Sequence, residues 1–269
     1  MAYRRRGRAN LHPADAALNL PQEKHSHGLR QLAAVEACRD SFDGAVAAPE
    51  RATGQRLGKR QVEDLARRAA TDFAGFYTDR APPEADPADV LVVSADGKGI
   101  VMRPAALREP TAKAAAEQQH KLKTRLSKGE KGNRKRMATV AAVYDAAPAP
   151  VARGKWLDAS VEDDAAAVIA DAFDEAERRD PNHARTWIAL ARGWPIATGV
   201  IEGACRHLVK DRLARTGARW SVEGAEAVLK LRAIISNGDW HNYWRWHLDK
   251  EHQRIHASRY ANNQIPHAA

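Results

Sequence analysis

Val90-Leu91-Val92-Val93-Ser94-Ala95-Asp96-Gly97-Lys98-Gly99-Ile100-Val101-Met102 is the stretch on which the fold of this chain turns. Its first half is apolar and β-branched, the composition of a buried strand. Asp96-Gly97 follows, and Ile100-Val101-Met102 resumes the strand pattern. An Asp-Gly between two such runs predicts a hairpin. The Asp96 carboxylate would then stand at a sheet edge, rigid and open to one side, as a hard-oxygen ligand for a divalent cation. The other reading is a turn without chemistry. Asp-Gly turns are common, and on the residues alone this second reading is favoured.

Downstream, 105–136 changes character. Ala112 to Gln119 reads as helix. Lys121, Lys123, Arg125, Lys128, Lys131, Arg134, Lys135 and Arg136 then stand against one acid, Glu130, with Gly129 and Gly132-Asn133 interrupting any helix. This predicts a basic loop that neutralises phosphates, against an equal expectation of a solvated charge run. Met137 to Tyr144 reads as a strand, and Pro148 and Pro150 mark a loop. Asp163 to Arg178 reads as an amphipathic helix with Val168, Ile169, Ala172 and Phe173 inward. Arg185 to Leu190 reads as a further strand. The sum is a mixed α/β sheet.

Gly193-Trp194-Pro195 reads as a turn. The next helix, capped by Thr198 or Gly199, runs to about Arg215. On it Glu202, Arg206 and Lys210 recur every four residues and share a face. Ile201, Cys205, Leu208, Val209 and Leu213 form its apolar side. Ser221 caps a helix over Val222 to Ser236, and Asp239 caps a third. The third carries a stripe of Trp240, Tyr243, Trp244, His247 and Leu248, read as core before base-stacking platform. His252 and His256 read as surface residues of a basic tail.

Upstream, Pro82, Pro83 and Pro87 make 79–89 a linker. Leu29 to Tyr77 reads as two helices: the first ends near Ser41-Phe42-Asp43-Gly44, Thr53-Gly54 breaks the chain, and the second opens at Gly58-Lys59-Arg60-Gln61 with Val62, Leu65, Ala66, Ala69, Phe73 and Phe76 inward. This is a helix-turn-helix or, slightly favoured because no polar reading face stands out, a pair packed on the next domain. Residues 1–28, with Arg4, Arg5, Arg6 and Arg8, read as a disordered basic tail and not a signal peptide. His25 and His27 lack partners for a metal site. Cys38 and Cys205 read as core residues in a reducing compartment.

The chain has 269 residues, 44% hydrophobic and 29% charged, with a formal net charge of +9. Polyanions are the expected partners, nucleic acid first and an anionic membrane surface second. No run of about 18 apolar residues exists, so no bilayer-spanning helix is expected.

Several segments together carry a likeness to one family. They are Gly58-Lys59-Arg60-Gln61, the Val92 to Gly99 stretch, Gly193 to Arg206 (GWPIATGVIEGACR), Thr216-Gly217-Ala218-Arg219-Trp220, Leu229-Lys230-Leu231-Arg232-Ala233 and Ser236-Asn237-Gly238-Asp239. On these the chain resembles bacterial DDE-type insertion-sequence transposases of the Kra type over most of 29–250. The resemblance implies an RNase H-like mixed sheet with flanking helices over 90–236. A helical region, a candidate for DNA binding, precedes it at 29–78, and a C-terminal helical extension follows at 237–269. It implies catalysis by Asp96, matching the first acid, and Glu202, matching the helical acid. Both would hold Mg2+ or Mn2+ in a two-metal arrangement that cuts and joins phosphodiesters. Arg206 and Lys210 would meet phosphate oxygens, or pair with Glu202 and Asp211 on a solvated face. The implied partners are double-stranded DNA, element ends and target, with a homodimer left open, in the bacterial cytoplasm at the nucleoid.

The match breaks at one point. In the family a turn carrying the second catalytic Asp follows the strand that resembles Thr186 to Leu190, and a long helical segment precedes the Gly-Trp-Pro block. Here Ala191-Arg192 leads straight into Gly193, and no acid lies between Asp180 and Glu202. Asp158 and Asp180 read as loop residues in the wrong place to substitute. The expectation is a shortened transposase, weak or inactive in strand transfer. A non-catalytic DNA-binding remnant is the alternative, and an RNase H-like nuclease acting on RNA comes after that.

Overall fold

The computed structural model describes residues 10–117, 132–147, 152–190, 198–215 and 217–265. Residues 10–28, expected as an unstructured tail, carry a short helix, α1 (Pro13–Ala17). They are fastened near the C-terminus, where His252 Nε2 lies 2.9 Å from the Ala16 carbonyl oxygen and His256 Nε2 lies 2.8 Å from that of Leu20. The two histidines read as surface residues are therefore a clasp.

The region read as two helices holds four: α2 (His27–Arg39), α3 (Phe42–Thr53), α4 (Lys59–Ala70) and α5 (Phe73–Asp79). The first helix ends near Ser41, as expected, and α3 after it was not expected. The Ser41 hydroxyl accepts the Gly44 N–H and caps α3, a bond whose loss costs about 1 kcal/mol. Val62, Leu65, Ala66, Ala69, Phe73 and Phe76 are all buried, so the expected stripe is present but bends at Thr71-Asp72.

β1 (Val90–Val101) is one strand of twelve residues. It corrects the expected hairpin. A two-residue turn of the usual hairpin type needs positive φ at both central residues, and neither Asp96 nor Gly97 has it. After α6 (Glu109–Glu117), β2 (Lys135–Ala146) runs antiparallel to β1 along its full length, with Asp96 opposite Val140. A twelve-rung ladder outweighs the local turn preference.

A further strand, β3 (Ala152–Ser160), pairs antiparallel with β2 and was not expected. Gly154 bends it at φ +54°, where a Cβ would stand 2.9 Å from an Asp145 carboxylate oxygen. α7 (Ala165–Arg179) crosses over to β4 (Trp187–Leu190), which lies parallel to β1 with Leu190 opposite Ser94. The sheet order is β3-β2-β1-β4.

α7 departs from its expected face. Val168 and Ala172 point inward with Ala176, but Ile169 and Phe173 are exposed. The rotation follows from Glu175, which is buried and binds Arg178 and, at 2.7 Å, Arg179. Arg179 and Arg185 both reach Asp145 on β2. Buried charges must be paired, and this cluster turns the helix to suit itself.

The remaining elements among the described residues are helical. One helix runs through α8 (Thr198–Ala204), a π-helical turn over Cys205–Lys210 and α9 (Asp211–Leu213). α10 (Val222–Ser236) is capped by Ser221 as expected, and α11 (Trp240–Ile255) follows. Tyr243, Trp244 and His247 are buried, so the aromatic stripe is core. Asp239 does not cap α11 with its side chain. It accepts bonds from the Tyr77 hydroxyl at 3.0 Å and Arg80 at 2.8 Å. One buried cluster runs from Leu29 through the sheet to Trp244. Among the described residues no helix is long and apolar enough to cross a membrane.

Asp72 joins α11 to the bend between α4 and α5. It lies 2.6 Å from His247 Nδ1 and takes two bonds from Arg254, at 2.6 and 2.8 Å. Burial pushes its carboxyl up, but the His247 and Arg254 bonds outweigh that and bring it down to about 2. A carboxylate lowered on folding stabilises above its ordinary value and loses that contribution as pH falls toward the lowered one. We expect about 2 kcal/mol to vanish between roughly pH 4 and pH 2. Urea unfolding of the unaltered chain and of Asp72→Asn across that range checks it. Equal pH slopes for the two would refute the assignment.

Candidate functional site

Alternation along paired strands decides which acids can meet. Asp96 lies opposite Val140, and Val140 opposite Ala159, so the three share one face of the sheet. Asp158, next to Ala159, points to the other face. Asp96 is half-buried, and one of its oxygens accepts its neighbour Gly97's N–H at 2.7 Å.

The helix begun by α8 covers Asp96. Cys205 Sγ stands 3.6 Å from the other Asp96 oxygen, as an S–H donor to a carboxylate. Glu202 is exposed on the same helix, three residues earlier, and i,i+3 residues are neighbours on a helical surface. Burial, the adjacent Asp96 charge and its hydrogen bond push the Cys205 thiol up to about 12, with Lys98 opposing and Glu202 adding. The thiol therefore stays protonated and donating. The structure thus brings Asp96, Cys205 and Lys98 together, with Glu202 close by.

Two of these were not singled out beforehand. Cys205 read as one more apolar position. Lys98 was hidden by the hairpin reading; on a continuous strand the period of two puts it on the Asp96 face.

The π-helical turn has a cause elsewhere in the chain. Arg232 on α10 donates from Nε to the carbonyls of His207 at 2.8 Å and Leu208 at 3.1 Å. A side chain inserted into the i→i−4 ladder widens a helix. The same guanidinium also holds the Cys38 carbonyl, so the Asp96-covering helix is tied to α2. Arg206 and Lys210 are exposed on it, and Arg206 pairs with Asp211 at 3.8 Å, one of the two alternatives expected. Such surface pairs contribute little.

Neither substitute acid reaches this place. Asp158 is not in a loop, as expected, but inside β3 on the opposite face, bound to Lys230 at 2.7 and 2.9 Å. Asp180 closes α7. It accepts the Ala184 and Arg185 N–H groups at 3.0 Å each and the Trp187 indole at 2.8 Å. Among the described residues no three His, Cys, Asp or Glu side chains are grouped to hold a metal ion. The described acids therefore do not make the two-ion ligand set that the resemblance implies. The expected basic residues Lys121, Lys123, Arg125, Lys128 and Lys131 lie outside the described residues. Arg134 and Lys135 are exposed, while Arg136 is half-buried and bound to the Glu162 carbonyl at 2.9 Å.

The other face holds a cavity of about 460 Å³ between α4, α5, β3, α7 and α10, lined by Phe73, Tyr77, Trp156, Asp158, Glu226 and Lys230 among others. Its deepest charges are already paired, Lys230 with Asp158 and, at 3.7 Å, with Glu226. It offers no reacting group to Asp96 across the sheet. Comparisons with protein-family models, with curated proteins and with solved structures each find no match to this chain.

Proposed function

We propose that the chain is an RNase H-like DNA-binding core of the insertion-sequence transposase type whose metal site is incomplete. It grips double-stranded DNA through its basic surface and cuts phosphodiesters weakly or not at all. The observation that carries this reading is the 3.6 Å contact between Cys205 and Asp96. It sets the helix bearing Glu202 against the inner strand that bears Asp96, the juxtaposition a two-carboxylate site requires. The order β3-β2-β1-β4, with three antiparallel strands and a fourth parallel to the first across a helix, supports the same reading. The formal charge of +9 suits a polyanionic partner.

With only Asp96 and Glu202 available, the site has too little negative charge to hold two dications in register. We expect salt-sensitive DNA binding with little cleavage in Mg2+ or Mn2+. A nicking assay on duplex DNA and on structured RNA, with unaltered chain and Asp96→Asn, tests this. Robust cleavage abolished by Asp96→Asn would refute the claim of impairment. A preference for RNA would move the substrate class. Absence of binding to either polymer would end the nucleic-acid reading.

A further inference from the structure

The β1–β2 ladder outruns the rest of the sheet. β3 first meets β2 at Thr139, and β4 meets β1 only from Leu91 to Ser94. Lys98–Val101 and Lys135–Ala138 therefore continue as a two-stranded ribbon that begins two residues beyond Asp96, with Ile100 and Ala138 packed in the core and the Val101 carbonyl accepting the Trp220 N–H at 3.1 Å. No acid occurs in 97–103 or in 132–139.

The ribbon's cations are among the exposed ones without an ion pair in the described residues, as are Arg51, Arg60, Arg153 and Lys155 elsewhere, but they stand beside Asp96. Many exposed arginines here face a carboxylate: Arg39 meets Glu36, Arg56 meets Glu50 and Arg67 meets Asp64. Lys98, Arg134 and Lys135 are exposed and make no ion pair among the described residues. Lys98 lies on the Asp96 face and Lys135, opposite Val101, on the other, so cations emerge from both sides. Met137 is 56% exposed and lies over Gly97, where a Cβ would stand 3.0 Å from its methyl carbon; the Lys135 chain lies over Gly99 in the same way. The two glycines let Met137 and the Lys135 stem lie close against the outer face of β1.

One face of the ribbon is packed on the body, so it does not enter a groove; the exposed Lys98, Arg134 and Lys135 stand at its open margin, where they reach the phosphates of a duplex laid across it. We propose that this ribbon, through Lys98, Arg134 and Lys135, is the surface that grips the nucleic-acid backbone and presents it to Asp96. The assignment rests on the nucleic-acid reading above and adds to it the residues and the element that make the contact. Arg136 serves a different end, since its bond to the Glu162 carbonyl fastens the ribbon to the body.

The test is fluorescence anisotropy of a labelled duplex with the full chain across a salt series. The Lys98→Ala/Arg134→Ala/Lys135→Ala variant should bind about tenfold or more weakly, and its log–log salt slope should shrink by roughly two to three. An equal charge loss at paired sites, Arg39→Ala/Arg56→Ala/Arg67→Ala, should change binding far less. Lys98→Glu/Arg134→Glu, which leaves the packed Lys135 stem in place, should weaken binding further, and thermal melts confirm that each variant folds. Ribbon and comparator variants equal within threefold would overturn the proposal. So would binding to phosphatidylserine vesicles but not to DNA. Ribbon-dependent DNA binding together with robust cleavage abolished by Asp96→Asn would uphold the ribbon while refuting the impaired metal site of the proposed function.

Discussion

Lys230→Met should destabilise the chain by roughly 3–5 kcal/mol, the penalty for stripping one partner from a buried ion pair. Lys230 Nζ bonds both oxygens of Asp158, at 2.7 and 2.9 Å, lies 3.7 Å from Glu226 and sits 4.7 Å above the Phe73 ring. Burial alone would lower its pKa, but Asp158 and Glu226 more than compensate and raise it. Without the ammonium, Asp158 keeps one backbone donor, the Ala159 N–H at 2.6 Å, in a site where its side chain is 2% exposed. Glu226 fares better, because Ser160, Val161 and Glu162 all donate to it. Asp158 is therefore the orphan, and adding Asp158→Leu to Lys230→Met should recover at least about half of the loss, since apolar replacement of a whole buried pair is often close to neutral. Urea unfolding of the two single variants and the double variant gives the coupling energy. A single-variant loss below about 1 kcal/mol, or strictly additive losses, would contradict the network.

Local signals in the sequence carried the α/β class. The apolar run from Val90, the strand around Val140, the Ser221 cap and the Trp240 stripe depend on neighbours within a turn or a pleat, and each stands where its pattern put it. What failed was set at long range. Asp96-Gly97 has turn chemistry, but a strand about forty residues later supplies the ladder that keeps it extended. β3 was missed because Arg153-Gly154-Lys155 looks like a loop until Asp145 and β2 are beside it. α7 turned Glu175 inward because Arg179 and Arg185 together outweigh the single charge of Asp145. Several residues that carry the family likeness prove to be structural: Trp220 covers the buried Arg212 guanidinium at 4.6 Å, and Asn237 bonds both backbone groups of Leu157.

Leu190→Asp should raise affinity for Mn2+ by about tenfold or more, because oxygen-ligand sites are tuned by the number of charged ligands they present. Leu190 ends β4, parallel to β1 and opposite Ser94, with Asp96 two residues further along the same face. A carboxylate there would stand one strand away from Asp96, on the side left without an acid between Asp180 and Glu202. Ser94 adds a second reason. Its hydroxyl is buried and has no hydrogen-bond partner, so the new carboxylate would meet a donor in place of an apolar wall. Leu190 is only half-buried, which keeps the loss of its apolar contacts below that of a fully buried leucine. Calorimetric Mn2+ titrations of the unaltered chain, Leu190→Asp, Leu190→Asn and Leu190→Asp/Asp96→Asn separate charge from shape. The gain should appear only in the first variant and disappear when Asp96 is neutralised. An equal gain in Leu190→Asn would mean that shape, not charge, governs the site. A gain that survives Asp96→Asn would place the ion elsewhere and detach Asp96 from metal chemistry.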